Sequence, residues 1–425
     1  MNTIEELYQA FKSASCLSTD TRNISQGSLF VALKGERFDA NTMLADAFQR
    51  GAAYAVTSNA EFASDPRVFF TPDTLKTLQD LASYHRDQLS IPVVGITGTN
   101  GKTTTKELIT AVLSSKFKTA ATKGNLNNHI GVPLTLLSIR PDDEVAVVEM
   151  GANHPGEIAA LAAIAKPTIG LVTNVGLAHI QGFGSLQGVK DTKAALYRQL
   201  ISTGGTAVYD SDNDDIVDMI ADYDNIVPYI AAKKVPSEAE TLSFEWADAS
   251  NAYQVATNLC GDYNIKNAQA AITVGLLCGV EPEKINAAIE GYTPTNGRSQ
   301  ALQTARNHVI VDAYNANPSS MNAALDNFEA RPNAAKCVIL GAMGELGPEQ
   351  EPQHLKVLNR LRSIPNLDCA ILIGQAFAMF KAQFPSFQFF PQTADAKEAV
   401  SQLSGKYILL KGSNSNHLDQ LIDSL

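Results

Sequence analysis

Gly98-Thr99-Asn100-Gly101-Lys102-Thr103-Thr104 combines glycines, a lysine and adjacent hydroxyls in a spacing that suits phosphate. A glycine-rich turn backed by the positive end of a following helix presents backbone N–H groups to an anion. Lys102 would reach the β/γ-phosphates as a point charge, and the Thr103 hydroxyl would ligate Mg²⁺. The general loop has a glycine five residues before its last one; Ile96 stands there, so this loop is a shorter version. The chemistry implied is use of a nucleoside triphosphate.

Further polar residues fall where strands should end. Glu149 closes the apolar run Val145-Ala146-Val147-Val148 and precedes Met150-Gly151-Ala152-Asn153. A carboxylate there can complete a Mg²⁺ shell or act as a cap or solvated group. Thr173-Asn174-Val175-Gly176-Leu177-Ala178-His179 delivers His179 to the same sheet edge, as a ligand or as a hydrogen-bonded packing residue. The amides of Gly124-Asn125-Leu126-Asn127-Asn128-His129 suit tight turns or recognition of a polar ligand, and composition alone favours turns. Lys193 lies in an amphipathic helix, where a solvated lysine is the ordinary outcome. Asp312-Ala313-Tyr314-Asn315-Ala316-Asn317-Pro318, Gly341-Ala342-Met343-Gly344-Glu345-Leu346-Gly347 and Lys411-Gly412-Ser413 also follow strands, which predicts a binding face opposing the phosphate loop. Ser319 or Ser320 is expected to cap the helix after Pro318.

The elements that must hold these residues alternate between strand and helix. The apolar run entering the phosphate loop reads as a buried parallel strand, and Leu108, Ile109, Val112 and Leu113 mark a helix over 104–115. Strands are expected near 28–33, 53–56, 145–148, 169–172, 207–209, 309–311, 337–340, 370–373 and 407–410, and helices near 44–50 and 75–89. This pattern predicts an α/β protein of three domains: a small α/β unit at 1–85 without a nucleotide loop, a central parallel-sheet domain at 86–294, and a Rossmann-like domain at 295–425. The cluster Tyr292-Thr293-Pro294-Thr295-Asn296-Gly297 makes a hinge between the last two.

At 425 residues the chain can bury several cores. Its net charge of −11 argues against nucleic acid as a main partner, since phosphate backbones call for clustered Lys and Arg. The scattered Cys16, Cys260, Cys278, Cys337 and Cys369 have no metal-ligand spacing and read as reduced, mostly buried thiols. The first residues lack the pattern of a signal peptide, and no window approaches the roughly 20 apolar residues of a membrane span. A cytoplasmic protein is expected.

Taken together the motifs resemble the Mur ligases, the ATP-dependent amide-forming enzymes of bacterial peptidoglycan synthesis, over nearly the whole chain. Within that family Tyr314-Asn315-Ala316-Asn317-Pro318 and Gly344-Glu345-Leu346-Gly347 resemble the D-alanyl-D-alanine-adding branch. The resemblance implies that UDP-N-acetylmuramoyl-tripeptide and D-alanyl-D-alanine are joined through an acyl phosphate, with ATP and two Mg²⁺ ions, by a monomer. It implies that Gly98 to Thr104 hold triphosphate, that Thr103 and Glu149 hold the first metal, and that His179 serves a second. Lys193 matches a carbamylated lysine that ligates Mg²⁺, so Lys102, His179 and Lys193 would carry the catalytic charge.

By the same resemblance Asn264 and Asn267 contact adenine, while Arg298 and Asp312 meet phosphate and ribose. Thr21, Arg22 and Ser28 fall in the part that holds the uridine diphosphate end, and Asn125, Asn127, Asn128, Asn315, Asn317, Lys411 and Ser413 in the substrate-binding parts. Three positions depart from the family pattern: Tyr263 where His is frequent, Asp210 where many have Asn, and Asn414 where Arg is usual. An Asn cannot offer a carboxylate the charged bidentate fork of Arg. The rivals are a ligase of the same family with another acceptor, a non-catalytic nucleotide-binding homologue, and a simple ATPase or kinase.

Overall fold

The computed structural model describes residues 3–236, 240–295, 297–331 and 335–425. Asn296 of the expected hinge lies outside the described residues, as do Met1 and Asn2. Three sheets follow one another along the chain.

The first has four parallel strands in chain order, Leu17–Ser18, Leu29–Val31, Tyr54–Thr57 and Val68–Phe70. Leu29, Phe30 and Val31 are all buried, as a strand covered on both faces requires. The helix Thr74–Asp87, capped by Asp73 on Lys76 N, carries Leu78, Leu81 and Ala82 into a core shared with the second sheet. Arg86 fastens it there, donating from Nε to Ala165 O at 3.1 Å and from Nη2 to Lys166 O at 3.1 Å. Those carbonyls end the helix Glu157–Ala165, where a cation is favourable.

The second sheet is six-stranded and parallel, in the order Ile226–Pro228, Thr206–Tyr209, Ile169–Val172, Val93–Thr97, Val145–Glu149 and Thr119–Ala121. Its strand order reverses beside Val93–Thr97, and ligands of open α/β sheets gather at the carboxyl ends beside such a switch. Val94 and Ile96 face one core and Val93 the other, which explains a continuous apolar run rather than an alternating one.

The third sheet has nine strands and corrects the parallel sheet expected throughout 86–294. Ala232–Lys234, Thr241–Ala247 and Ala252–Cys260 are antiparallel and join Gln300–Gln303 through the single pair Leu259 and Gln300. The signal was present: Leu242, Phe244 and Trp246 are buried while Glu245 and Ala247 are exposed, a period of two. Beyond Gln300–Gln303 lies His308–Asp312, followed in space by the parallel strands Tyr407–Lys411, Lys336–Gly341, Leu367–Ile373 and Gln388–Phe390.

Two helix starts also differ from expectation. The helix after the phosphate loop is Lys102–Ser114, so Lys102 and Thr103 sit in its first turn. The helix Pro318–Glu329 is capped by Asn317, not by Ser319 or Ser320. Pro318 fits the first helical position because its missing N–H is not needed there, which places the cap one residue earlier. All five cysteines are free thiols; Cys260 and Cys337 are buried, and Cys16 is exposed, contrary to the expected burial of most. Among the described residues no helix is long and apolar enough to cross a membrane.

Candidate active site

The phosphate loop is shaped by two glycines and propped by the neighbouring strand. Gly98 has φ +143° and Gly101 has φ +77°, and a Cβ on Gly98 would lie 2.0 Å from Thr173 Oγ1. Thr173 Oγ1 donates to Asn100 O at 2.6 Å, Asn174 Nδ2 donates to the same carbonyl at 3.0 Å, and Asn100 N donates to Asn174 Oδ1 at 2.9 Å. Thr173 and Asn174 thus support the loop, a role for this strand exit beyond the ligand that its sequence offers in His179.

Beside the loop lies a cavity of about 600 Å³ lined from two sheets. The central part contributes Thr99 to Thr104, Asn125, Asn127, Asn128, Glu149 and His179, together with Asn264 and Asn267. Opposite them stand Arg298, Asp312, Asn315, Asn317 and Lys411. Gly98, Lys193 and Ser413 are not on its wall, and Thr21, Arg22 and Ser28 are on the first sheet's domain, away from it.

Lys102 Nζ donates to Gly98 O at 2.8 Å and Thr99 O at 2.9 Å. Burial pushes its pKa down to about 8; Glu149 opposes the fall and Arg298 adds to it. Glu149 is 1% exposed. Its Oε1 accepts from Asn127 Nδ2 at 2.7 Å, while Oε2 is buried without a hydrogen-bond partner. A buried, half-satisfied carboxylate lining the same cavity as Lys102 and Thr103 fits a hard divalent cation. Among the described residues no trio of His, Cys, Asp or Glu is grouped to hold a metal alone, so hydroxyl and phosphate oxygens would have to complete any shell.

His179 has a left-handed backbone, φ +51°, and its Nδ1 contacts the carboxylate of Glu345, which is also left-handed at φ +59°. Burial pulls the imidazole below its ordinary range, Glu345 opposes this, and Lys102 and Lys193 add to it. Lys193 corrects the expectation of a solvated side chain: it lies within the helix Leu186–Thr203 and is 2% exposed. Its Nζ stands 5.5 Å from the Phe183 ring centroid, and the same ring meets His179 edge-on at 6.3 Å. Burial, with Lys102 nearby, lowers the Lys193 pKa to about 7.

Asn264 and Asn267 line the cavity with their polar ends engaged. Asn264 Nδ2 donates to Cys260 O at 2.6 Å, Asn267 Nδ2 donates to Asn264 Oδ1 at 2.8 Å, and Thr105 Oγ1 donates to Asn267 Oδ1 at 3.0 Å. They tie the helix Asn264–Leu277 to the phosphate-loop helix. On the opposite wall the Arg298 guanidinium lies 3.6 Å from the Tyr314 ring centroid, with Nε buried and unpartnered. Lys411 Nζ pairs with Asp312 Oδ2 at 2.5 Å and donates to Asn315 O at 3.3 Å. Ser413 Oγ accepts from Gly344 N at 3.0 Å and is buried, a structural contact.

On the first domain, Arg22 is exposed and pairs with Asp20, whose carboxylate also caps the turn containing Thr21. Ser28 is fully buried and its Oγ has no partner. The departures from the family pattern have local accounts. Asp210 accepts from Lys266 Nζ at 2.7 Å, so a charge in place of an amide is neutralised. Tyr263 Oη shares a hydrogen bond with Ser299 Oγ at 2.9 Å across the two halves of the site. Asn414 is exposed beyond the strand Tyr407–Lys411.

Comparison with known proteins places this geometry. The Mur ligase middle domain matches residues 96–275, and the Mur ligase, glutamate ligase domain matches residues 297–414. The chain is 34% identical over 442 aligned positions to UDP-N-acetylmuramoyl-tripeptide–D-alanyl-D-alanine ligase of Escherichia coli K12, covering 99% of this chain and 95% of that protein. Among solved structures it is similar to MurF from Acinetobacter baumannii, with a TM-score of 0.89 at 30% identity over 100% of this chain and 98% of the other. It is also similar to the MurF ligase of Thermotoga maritima in complex with ADP, with a TM-score of 0.86 at 25% identity over 97% of each chain.

Proposed function

The chain belongs to the Mur ligase family, and on that premise we propose how its residues work in the ATP-dependent joining of D-alanyl-D-alanine to UDP-N-acetylmuramoyl-tripeptide. The enzyme is an ADP-forming amide ligase of peptidoglycan precursor synthesis. The observation that carries the assignment of roles is that Lys102 on the phosphate loop faces Arg298, Asp312 and Lys411 across one cavity, so that both substrates can meet there.

The terminal carboxylate of the tripeptide attacks the γ-phosphorus of ATP, forming a C–O–P linkage and releasing ADP. The amine of D-alanyl-D-alanine then attacks the acyl carbon, and the tetrahedral intermediate collapses with loss of phosphate. The chain supplies no covalent nucleophile. Lys102 and the loop N–H groups hold the triphosphate, Arg298 faces it from the other wall, and the Asn125 to Asn128 segment contacts the tripeptide end. Thr103, Glu149, His179 and Lys193 would hold Mg²⁺, which when bound neutralises crowded phosphate oxygens.

A lysine with a pKa near 7 is largely neutral at physiological pH, and a neutral amine can add to CO₂ with loss of a proton to give a carbamate. We assign that modification to Lys193, whose charged form is disfavoured by burial and by Lys102. Thr21, Arg22 and Ser28 are assigned to the uridine diphosphate end, and Asn315 and Lys411 to the dipeptide side, with Ser413 behind them holding the Gly344 backbone. Residues 1–85, 86–294 and 295–425 serve as substrate, ATPase and dipeptide domains of a cytoplasmic monomer.

Product mass tests the acceptor assignment. Incubation with ATP, Mg²⁺ and the UDP-linked tripeptide should add one dipeptide mass with D-alanyl-D-alanine and nothing with single amino acids; product formed with a single amino acid would move the chain to another branch of the family.

A further inference from the structure

We propose that Asn100 is a positioning residue whose side chain makes the phosphate loop's geometry conditional on docking of the third-domain helix Pro318–Glu329, an inference that rests on the ligase reading above. Asn317 caps that helix, its Oδ1 accepting from Ser320 N at 2.9 Å and from Ser319 Oγ at 2.9 Å. A backbone N–H can only donate, so the Asn317 amide has one possible orientation, with Nδ2 turned to the phosphate loop. There it donates to Asn100 Oδ1 at 2.8 Å. That contact fixes Asn100 in turn, and its Nδ2 donates to Ser319 Oγ at 2.8 Å.

The main chain of Asn100 is meanwhile held by Thr173 and Asn174 of the central sheet. One loop residue therefore grips the central sheet through its backbone and the third domain through its side chain. Both ends of its amide, and both ends of the Asn317 amide, are matched within the protein. Asn317 therefore has a domain-docking role, while one N–H of each amide stays free on the cavity wall. The fit is close: a Cβ on Gly176 would stand 2.9 Å from Ser319 Oγ.

With the domains apart, Asn100 loses both side-chain partners, and the loop next to Gly101 and Lys102 loses its outer restraint. The loop takes its working shape when the helix docks, so phosphoryl transfer waits for closure. This limits cleavage of ATP in the open enzyme, where water has access.

The test uses Asn317→Ser, which keeps a capping oxygen but lacks the Nδ2 donor, Asn100→Ala, which removes both contacts, and the double variant. Steady-state rates are measured with both acceptors, and small-angle scattering with an ATP analogue and the UDP-linked tripeptide. Each single variant should lower kcat about tenfold, the loss expected for one or two neutral hydrogen bonds, with a smaller change in KM for ATP. The double variant should be no worse than Asn100→Ala, and all should lose the compaction of the wild type. Multiplicative losses in the double variant, or Asn317→Ser with wild-type kcat and compaction, would overturn the proposal. Wild-type enzyme that compacts but never turns over would instead defeat the ligase reading, and the scattering of the variants would still decide the docking role.

Discussion

Asn127 donates through Nδ2 to Oε1 of Glu149 at 2.7 Å, and the other oxygen of that carboxylate is buried without a partner. One oxygen is thus oriented by the protein and the other is left free for a cation. An unpaired buried carboxylate oxygen is costly, so its persistence in a cavity wall points to use rather than to packing.

Removing the orienting amide should therefore weaken Mg²⁺ without abolishing it. Asn127→Ala is expected to raise the Mg²⁺ concentration for half-maximal activity by about tenfold, as loss of partners behind metal ligands commonly does. Glu149→Gln should lose activation altogether. The check is a Mg²⁺ titration of turnover; an unchanged midpoint in Asn127→Ala would remove Glu149 from the metal shell.

Gly98→Ala should abolish nucleotide binding while leaving the fold intact. A methyl at that position would lie 2.0 Å from Thr173 Oγ1, at a φ of +143° that L residues rarely adopt. Calorimetric titration with ATP should show no binding, and circular dichroism should match the wild type.

Lys193 predicts a stability that rises with pH. Its folded-state pKa of about 7 lies below the ordinary 10.5. Below about pH 7 both states bind the proton and the cost of the buried charge is fully present. Between about 7 and 10.5 the unfolded state binds more protons than the folded one, so stability climbs with pH. Unfolding midpoints of the wild type relative to Lys193→Met should increase across that window in CO₂-free buffer, and the increase should vanish once Lys193 is carbamylated.

The pair of Lys411 and Asp312 predicts asymmetry between single and double replacements. Lys411 is 1% exposed and Asp312 is its counter-charge. Asp312→Ala should cost about 3 kcal/mol in denaturant unfolding by leaving a buried ammonium alone, whereas Asp312→Leu with Lys411→Met should cost less than that single change.

Asn414 marks where the usual Arg is missing. Asn414→Arg should lower KM for D-alanyl-D-alanine by roughly tenfold, the order of one charge-assisted hydrogen bond, with KM for ATP unmoved. An unchanged dipeptide KM would place the carboxylate elsewhere.

Much of this was legible in the sequence because local chemistry dictates it. The apolar run entering the phosphate loop reads as a buried strand, which forms over Val93–Thr97, and Gly98 and Gly101 sit where the backbone needs positive φ. The sheet edge carrying Glu149 and His179 followed from strand ends alone. What stayed hidden depends on tertiary packing. Lys193 has the sequence setting of a surface lysine, yet it is buried with its Nζ near the Phe183 ring. Contacts that join residues more than two hundred positions apart, such as Asn100 with Asn317 and Ser319, leave no local trace. The antiparallel strands within 241–260 do carry a local signal, the alternation of Leu242, Phe244 and Trp246 with Ser243 and Glu245, but which sheet they join is set by the distant strand Gln300–Gln303.

In the ligase reaction ATP is cleaved by the tripeptide carboxylate and not by water. This is tested most directly by labelling that carboxylate with ¹⁸O and analysing the phosphate released in the presence of D-alanyl-D-alanine. Each phosphate should carry one labelled oxygen, with sustained release only when the dipeptide is present. Unlabelled phosphate, released whether or not the dipeptide is added, would contradict it and leave an ATPase in place of a ligase.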